Sequence, residues 1–227
     1  MAIPLTAQIL LQAYASGIFP MADSADDSEL FWVDPRRRGI MPLDAFHVPR
    51  RLARVIRRGV FEVRCDTAFE ATMRGCAEAS EMRPSTWINE EIVRLYTELF
   101  ERGAAHSVEC WCGGELAGGL YGVALGAAFF GESMFSRVTD ASKVALVHLA
   151  ARLRLGGYRL LDTQFLTPHL MQFGGIEISR ARYHRLLAEA LRYRADFPLV
   201  LPGGVAGAAG GGGGDPLAPL HSSRLTS

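Results

Sequence analysis

The chain has 227 residues, of which 49% are hydrophobic and 21% are charged, and its 24 basic and 24 acidic side chains leave no formal net charge. These values predict a soluble globular protein with one large or two small domains. No apolar run is long enough to cross a bilayer, and the first residues lack the charged and apolar regions of a secretory signal. We therefore predict a cytoplasmic protein with no membrane contact.

The four cysteines, at positions 65, 76, 110 and 112, argue against both a metal site and a disulfide framework. No pair of them has the C-x-x-C spacing of zinc ligands, and the last two share an alternating strand pattern. We expect a reduced protein that uses no metal.

The first half of the chain is predicted to be mostly helical, with short strands in proline-rich loops. The predicted helices span about 5–16, 49–58, 66–79 and 87–103, and the predicted strands span 31–33, 39–41 and 61–64. Gly17, Gly59 and Gly103 end three of these helices. Asp66 is expected to cap the third helix with its carboxylate.

The second half begins with a change to a period of two residues, which is typical of strands. Three antiparallel strands are predicted at 107–112, 115–123 and 128–135, joined by tight turns at Gly113-Gly114 and Leu125-Gly126. The elements that follow are a buried helix from Thr139 or Asp140 to about 155, a strand at 160–165, a helix at 168–173, a strand at 176–178 and a helix at 179–192.

This order of elements predicts an α+β fold with a mostly antiparallel sheet. We expect a small N-terminal α/β domain over residues 1–60 and a larger domain over 61–198. Residues 199–227 consist largely of Gly, Ala and Pro, including five consecutive glycines. Such a segment buries too little apolar surface to offset its ordering entropy, so we predict a disordered tail.

Two polar residues interrupt the apolar strand at 160–165. Asp162 and Gln164 are two residues apart, so both side chains are expected on the same face of the strand. Asp162 can accept a hydrogen bond from the Gln164 amide or from a nearby backbone donor, which would fix the Gln164 carbonyl as an acceptor for an incoming amine. A polar pair that caps the next helix is the alternative explanation.

Glu132 interrupts another apolar, Phe-rich strand, in the sequence Gly-Glu-Ser. Burying a carboxylate is costly unless it is paired or hydrogen-bonded, so its position suggests a site that holds a cationic group. An internal salt bridge, for example to Arg137, is the alternative explanation.

Basic residues are concentrated between positions 36 and 64, where nine arginines stand against two acidic residues. Arginine suits phosphates and stacked bases, although a solvated helix face in an arginine-rich chain is the simpler explanation. Trp87 follows a polar loop at a helix start and could stack on a nucleobase or anchor the core.

Several motifs of other enzyme classes do not occur. There is no G-x-S-x-G turn for a serine hydrolase, no G-x-G-x-x-G between a strand and a helix, and no P-loop. A hydrolase or a nucleotide-binding fold is therefore a weak hypothesis.

Taken together, eight segments resemble the leucyl/phenylalanyl-tRNA–protein transferase family, in family order over roughly residues 5–192. The matching segments are ASGIFP at 15–20, WVDPR at 32–36, TWI at 86–88, HSVE at 106–109, GGLYGV at 118–123, GESMFSR at 131–137, ASK at 141–143 and LDTQ at 161–164. The GESMFS run is the most specific of them.

The resemblance implies an enzyme that moves Leu or Phe, and sometimes Met, from a charged tRNA to the α-amine of a protein that begins with Arg or Lys. This addition creates an N-terminal degradation signal. It also implies a GNAT-like C-terminal domain, no CoA and no metal cofactor, and we expect a monomer.

The resemblance also assigns residues to roles. The catalytic pair falls on Asp162 and Gln164, with Gln164 positioning the acceptor amine and Asp162 orienting Gln164, while Glu132 holds the basic N-terminal residue. The aminoacyl pocket is expected to be apolar and to be lined by Leu120, Phe129, Leu146, Leu149 and Leu161. Trp87 matches a Trp that packs around the terminal adenosine of the tRNA.

Two departures from the family pattern concern the tRNA. Met21 stands where some relatives have a second Trp, so a methionine would have to pack on the base or ring that the Trp stacks on. The chain also starts later than longer members of the family do. With a tRNA partner expected, the arginines that become candidates for phosphate contacts are Arg36, Arg37, Arg38, Arg50, Arg51, Arg54, Arg57 and Arg58.

Two other functions fit the same segments. One is an acyl-CoA-dependent N-acetyltransferase, although residues 137–142 lack the glycine-containing pyrophosphate loop that such an enzyme needs. The other is a tRNA-binding relative that has lost activity, against which the intact Glu132, Asp162 and Gln164 argue.

Overall fold

A seven-stranded mixed sheet forms the centre of the fold in the computed structural model, which describes residues 5–21, 31–78, 86–201 and 217–221. The strands are β1 (Phe19–Met21), β2 (Phe31–Val33), β3 (Arg37–Ile40), β4 (Glu62–Cys65), β5 (Ala105–Cys112), β6 (Glu115–Leu125), β7 (Ala128–Ser136), β8 (Leu160–Gln164) and β9 (Ile176–Ser179). The helices are α1 (Ala7–Ala15), α2 (Arg50–Arg57), α3 (Phe69–Ala77), α4 (Glu90–Glu101), α5 (Ala141–Leu155), α6 (Pro168–Met171), α7 (Arg180–Ala190) and α8 (Ala218–His221).

The strand order in the large sheet is β4-β5-β6-β7-β8-β3-β9. Among the described strands, β7 and β8 form the one parallel pair, and the other neighbours are antiparallel. The predicted α+β class, with a mostly antiparallel mixed sheet, is therefore confirmed. Its likeness to the GNAT fold stays a prediction.

Strand β3 joins the N-terminal part of the chain to the large sheet, where it lies between β8 and β9. Strands β1 and β2 form a separate two-stranded antiparallel sheet. Residues on both sides of position 60 thus share one sheet, and the division into domains at that position stays a prediction.

Two apolar clusters cover the two faces of the sheet, because successive strand residues point to opposite sides. In β6, Leu120 belongs to the cluster that packs around α5, and Tyr121 belongs to the cluster that packs under α1, α3 and α4. Helix α5 is buried along most of its length, as its apolar sequence predicts.

Two local predictions are wrong, and the first concerns the start of α3. Asp66 does not cap this helix, because its carboxylate accepts from the backbone N–H of Ser107 at 2.8 Å. The backbone N–H groups of Thr67 and Ala68, just before α3, donate to the fully buried Glu109. Glu109 of β5, far along the chain, thus supplies the carboxylate at the start of α3 that the sequence predicts Asp66 to supply.

The second wrong prediction concerns the tail, which contains a short ordered element. Residues 217–221 include α8, which packs on α5. Leu217, just before this helix, and Leu220 within it are both buried. Arg154 donates to the Leu220 carbonyl at 3.1 Å. The disordered-tail prediction is wrong for this segment, because two leucines find apolar partners there; residues 202–216 and 222–227 lie outside the described residues.

Candidate active site

A cavity opens where the parallel pairing of β7 and β8 ends. The last paired residues are Phe130 and Asp162, and both strands continue beyond them to Glu132 and Gln164. The cavity has a volume of about 360 Å³ and lies between these strand ends, helix α5 and the segment around α6. Such an apolar cavity with a few convergent polar groups is the usual form of a small-molecule site.

Four of the five residues predicted for the aminoacyl pocket line this cavity. They are Leu120, Leu146, Leu149 and Leu161. Phe129 does not, and that prediction is wrong for this cavity, because its fully buried ring packs beside Phe197. Met134 and Leu170 are lining residues that sequence reasoning missed, although Met134 lies directly opposite Leu120 in the register of β6 and β7.

Asp162 lies beneath the cavity and is completely buried. Its carboxylate accepts from the guanidinium of Arg38, with Nη2 to Oδ2 at 2.6 Å, and from the hydroxyl of Tyr183 at 2.7 Å. Its Oδ1 accepts from the backbone N–H of Gln164 at 2.8 Å. The sequence predicts either the side-chain amide of Gln164 or a backbone group as the donor to Asp162, and the structure has the backbone N–H of Gln164. The Asp162 carboxylate therefore connects Arg38 and Tyr183 in the interior to the end of β8 at the cavity.

Gln164 ends β8 with a left-handed backbone, φ 52°, which is uncommon for a residue other than glycine. Its side chain faces the cavity and is mostly buried, and its Nε2 lies 3.4 Å from Oε1 of Glu132. Since Nε2 is the donor of the amide, this contact turns its carbonyl oxygen away from Glu132.

Glu132 lies beside Gln164 at the cavity and is half-buried. The hydroxyl of Tyr96 lies 3.3 Å from its Oε2, and Tyr96 in turn shares a hydrogen bond of 2.5 Å with Tyr14 of α1. Burial raises the pKa of Glu132 to about 7, and the charge of Asp162 acts in the same direction. Tyr14, Tyr96 and the cation of Arg38 lower the pKa but do not offset burial.

The alternative explanation of Glu132, an internal salt bridge to Arg137, does not hold. Arg137 instead pairs with Glu78 and donates to the Leu116 carbonyl at 3.0 Å. Among the described residues, Glu132 therefore keeps tyrosine hydroxyls and an amide as its hydrogen-bond partners, rather than a cation.

Arg38 is the one predicted phosphate contact that the structure places in the interior. It is 1% exposed and belongs to the ion pair with Asp162, so that prediction is wrong for Arg38. The other seven candidate arginines are exposed: Arg36, Arg37, Arg50, Arg51, Arg54, Arg57 and Arg58. The last five lie on or next to α2, where Leu52 and Ile56 face the core.

Trp87 and Met21 are both partly buried and pack against the cluster under α1, α3 and α4. Met21 pairs with Phe31 across the small sheet, and Phe31 is 42% exposed. The structure therefore gives Trp87 a core contact while it leaves part of its surface open, so a contact with tRNA stays a prediction.

Within the part of the chain that the structure describes, no three side chains of His, Cys, Asp or Glu are grouped as they would be around a metal ion. In the same residues, no helix is long and apolar enough to span a membrane.

The chain matches two family models. Residues 40–188 match the leucyl/phenylalanyl-tRNA protein transferase model, and residues 4–36 match the model of the N-terminal domain of the same enzymes. The first match contains the whole candidate site from Glu132 to Gln164, and the second contains α1 with Tyr14.

Individual relatives with the name leucyl/phenylalanyl-tRNA–protein transferase agree with these matches. The chain is 69% identical to the one from Paramagnetospirillum magneticum over 194 residues, which cover 86% of this chain and 93% of the relative. It is 61% identical to the one from Caulobacter vibrioides, over 85% of this chain and 88% of the relative. A relative from Maricaulis maris is 57% identical over 89% of this chain and 93% of its own length.

The fold and the cavity define an α+β protein with an apolar site that has a carboxylate and an amide at its polar corner. The chain belongs to the leucyl/phenylalanyl-tRNA–protein transferase family.

Proposed function

We propose that the chain transfers leucine or phenylalanine, and in some cases methionine, from aminoacyl-tRNA to the α-amine of proteins that begin with Arg or Lys. The observation that carries the proposal is the apolar cavity that ends on Glu132 and Gln164, in a chain of this family. The transferred residue would then mark the acceptor protein for degradation. Charged tRNA is present in the cytoplasm, where we expect the enzyme to act as a monomer.

The apolar wall of the cavity suits the side chain of the transferred residue. The five leucines of the wall offer apolar contacts, so the cavity suits Leu, Phe and Met better than polar side chains. Discrimination against Val or Ile would come from shape and be modest, since one methylene is worth about 1–3 kcal/mol.

The polar corner suits the reacting groups. The acceptor α-amine would attack the ester carbonyl of the aminoacyl-tRNA, forming the amide bond, while the bond to the ribose oxygen breaks. The amine loses a proton and the ribose oxygen gains one. A neutral amide is a poor base, so the Gln164 carbonyl would accept a hydrogen bond from the amine and orient it, rather than remove its proton.

Glu132 is suited to hold the basic side chain of the acceptor. Its carboxylate faces the cavity and has no cation against it among its contacts in the described residues. A guanidinium or ammonium group would supply the missing charge through charge-assisted hydrogen bonds. The ionised form that binds a cation is the major form above a pH of about 7.

The tRNA would be held by charge and stacking outside the cavity. The exposed arginines of α2 are suited to backbone phosphates, which carry no sequence information, and Trp87 and Met21 are suited to the terminal adenosine. Arg36 and Arg37 would extend the basic surface from the start of β3.

The test is the transfer of labelled leucine from Leu-tRNA to a peptide that begins with Arg, beside the same peptide beginning with Ala. We expect label on the Arg peptide, and its loss in the Glu132→Gln variant with retained tRNA binding. Binding of tRNA with no label on either peptide would favour an inactive relative. Acetylation of the Arg peptide from acetyl-CoA would favour an N-acetyltransferase.

A further inference from the structure

The guanidinium of Arg38 occupies a closed site behind the cavity. It donates from Nε to Oδ1 of Asp162 at 2.9 Å and from Nη2 to Oδ2 at 2.6 Å, which is a bidentate contact. Nη2 also lies 3.1 Å from the hydroxyl of Tyr183, and Nη1 donates to the carbonyl of Gly17 at 3.1 Å. The rings of Phe19 and Tyr183 lie 4.5 Å and 4.3 Å from its central carbon.

These contacts continue to the cavity through one atom. Oδ1 of Asp162, which accepts from Arg38, also accepts from the backbone N–H of Gln164. Gln164 has the left-handed backbone noted above, and such a conformation persists only where the surroundings hold it. The side-chain direction of Gln164 at the cavity therefore depends on the place of the Asp162 carboxylate, and Arg38 fixes that place.

We infer that Arg38 is a positioning residue for aminoacyl transfer, which acts through Asp162 to hold Gln164 in its orientation at the cavity. The inference rests on the proposed function of the cavity. Its geometric part, from Arg38 to the backbone of Gln164, does not depend on which substrate the cavity takes.

Lysine cannot replace arginine in this role. The planar guanidinium presents two N–H groups side by side to a carboxylate and lies flat against aromatic rings, whereas an ammonium is a point charge. Arg38→Lys therefore keeps the charge and removes the bidentate geometry. Arg38→Met removes both.

The experiment compares Arg38→Lys and Arg38→Met with the control Arg159→Met. Arg159 likewise lies over a tyrosine ring, at 3.4 Å from Tyr193, and pairs with a carboxylate, Glu189, at 3.6 Å, but it is outside the site. We expect kcat for leucine transfer to fall about 100-fold in both Arg38 variants, with KM for Leu-tRNA little changed. The control should keep wild-type values.

A double-mutant cycle tests whether Arg38 acts through Asp162. In an Asp162→Asn background, Arg38→Lys should lower kcat by less than about threefold, because the carboxylate on which it acts is already absent. If Arg38→Lys lowered kcat by a further 100-fold in the Asp162→Asn background, Arg38 would not act through Asp162. A purely structural role predicts lower thermal stability with unchanged kcat per folded molecule.

A second readout does not require activity. The amide hydrogen of Gln164 should exchange at least about tenfold faster in Arg38→Lys than in the wild type and the control, because its acceptor is no longer fixed. Unchanged exchange together with wild-type kcat in Arg38→Lys would overturn the inference. If the wild-type protein transfers no leucine, the proposed function fails, and the exchange of the Gln164 amide alone decides the inference. If Arg38→Met does not fold, Arg38→Lys decides both readouts.

Discussion

The backbone N–H of Gln164 donates to Oδ1 of Asp162 at 2.8 Å, at the point where Gln164 takes a left-handed backbone conformation. Two residues that a strand pattern places on one face are thus joined by a backbone hydrogen bond rather than by their side chains. This hydrogen bond connects a buried ion pair to the polar corner of the cavity.

The backbone of Gln164 yields a prediction about stability. In Gln164→Gly the left-handed conformation has no Cβ to strain it, whereas Gln164→Ala keeps that strain and removes the same polar group. We expect the Gly variant to be more stable than the Ala variant by about 1 kcal/mol, in contrast to the usual order in a strand. Denaturant unfolding measures the difference, and an Ala variant that is the more stable one would show that the conformation carries no strain.

Both Gln164 variants should lose transfer activity, because neither presents a side-chain carbonyl to the acceptor amine. Leucine transfer to an Arg peptide at saturating Leu-tRNA measures the loss, which we expect to be at least about 100-fold in kcat. Wild-type kcat in Gln164→Ala would remove this residue from the proposed mechanism.

Glu132 makes the stability of the fold depend on pH. Its pKa in the folded protein is about 7, above its ordinary value of 4.5. Between these pH values Glu132 is therefore mostly protonated in the folded protein and mostly ionised in the unfolded chain. The contribution of Glu132 to stability is therefore fully present below a pH of 4.5 and is lost as the pH rises through about 7.

The matched variant is Glu132→Gln, which resembles the protonated form at every pH. We expect it to match the wild type near a pH of 4.5 and to be the more stable protein above a pH of about 7. Thermal unfolding of both proteins across this range measures the effect. A stability difference that does not vary with pH would mean that Glu132 titrates normally.

The wall of the cavity should control which amino acid is transferred. Leu146→Ala enlarges the cavity, so the ratio of kcat/KM for Phe-tRNA to that for Leu-tRNA should rise by about tenfold. Leu153→Ala is the control, because Leu153 lies on the same helix, is fully buried and does not line the cavity. Both variants should lose about 2–5 kcal/mol of stability. If Leu153→Ala changed the selectivity ratio as much as Leu146→Ala does, the pocket for the transferred side chain would lie elsewhere.

The basic surface of α2 should act through salt-dependent binding. Replacing Arg54 and Arg57 with Gln should raise KM for Leu-tRNA and lower the slope of log K against log salt by about 0.9 for each phosphate that is no longer neutralised. The control replaces Arg94 and Arg102 on and next to α4, which are also exposed arginines. An unchanged salt slope in the α2 variant would place the tRNA on another surface.

Much of the fold follows from local patterns in the sequence. The alternation after residue 107 and the glycine pair at 113–114 predict the meander β5-β6-β7, and the apolar run of residues 141–155 predicts the buried helix α5. These patterns suffice because each of them reflects one element and its own burial.

The parts that escape prediction depend on partners far along the chain. Arg38 stands in a run of three arginines, and nothing local distinguishes it from its exposed neighbours; its partner Asp162 is 124 residues away. Glu109 replaces Asp66 at the start of α3 for the same reason, and α8 depends on its packing against α5. Phe129 shows the limit of strand alternation, because the alternation identifies a buried residue but not the side chain against which it packs, which here is Phe197.

The most direct test is a single-turnover experiment with enzyme in excess over labelled Leu-tRNA and an Arg peptide present, in the wild type and in Asp162→Asn. We expect the wild type to form the leucyl peptide, identified by its mass, and Asp162→Asn to bind the tRNA but to form the product at least about 100-fold more slowly. Equal rates of product formation in the two proteins would contradict the claim that the charged carboxylate of Asp162, paired with Arg38, organises the site of transfer.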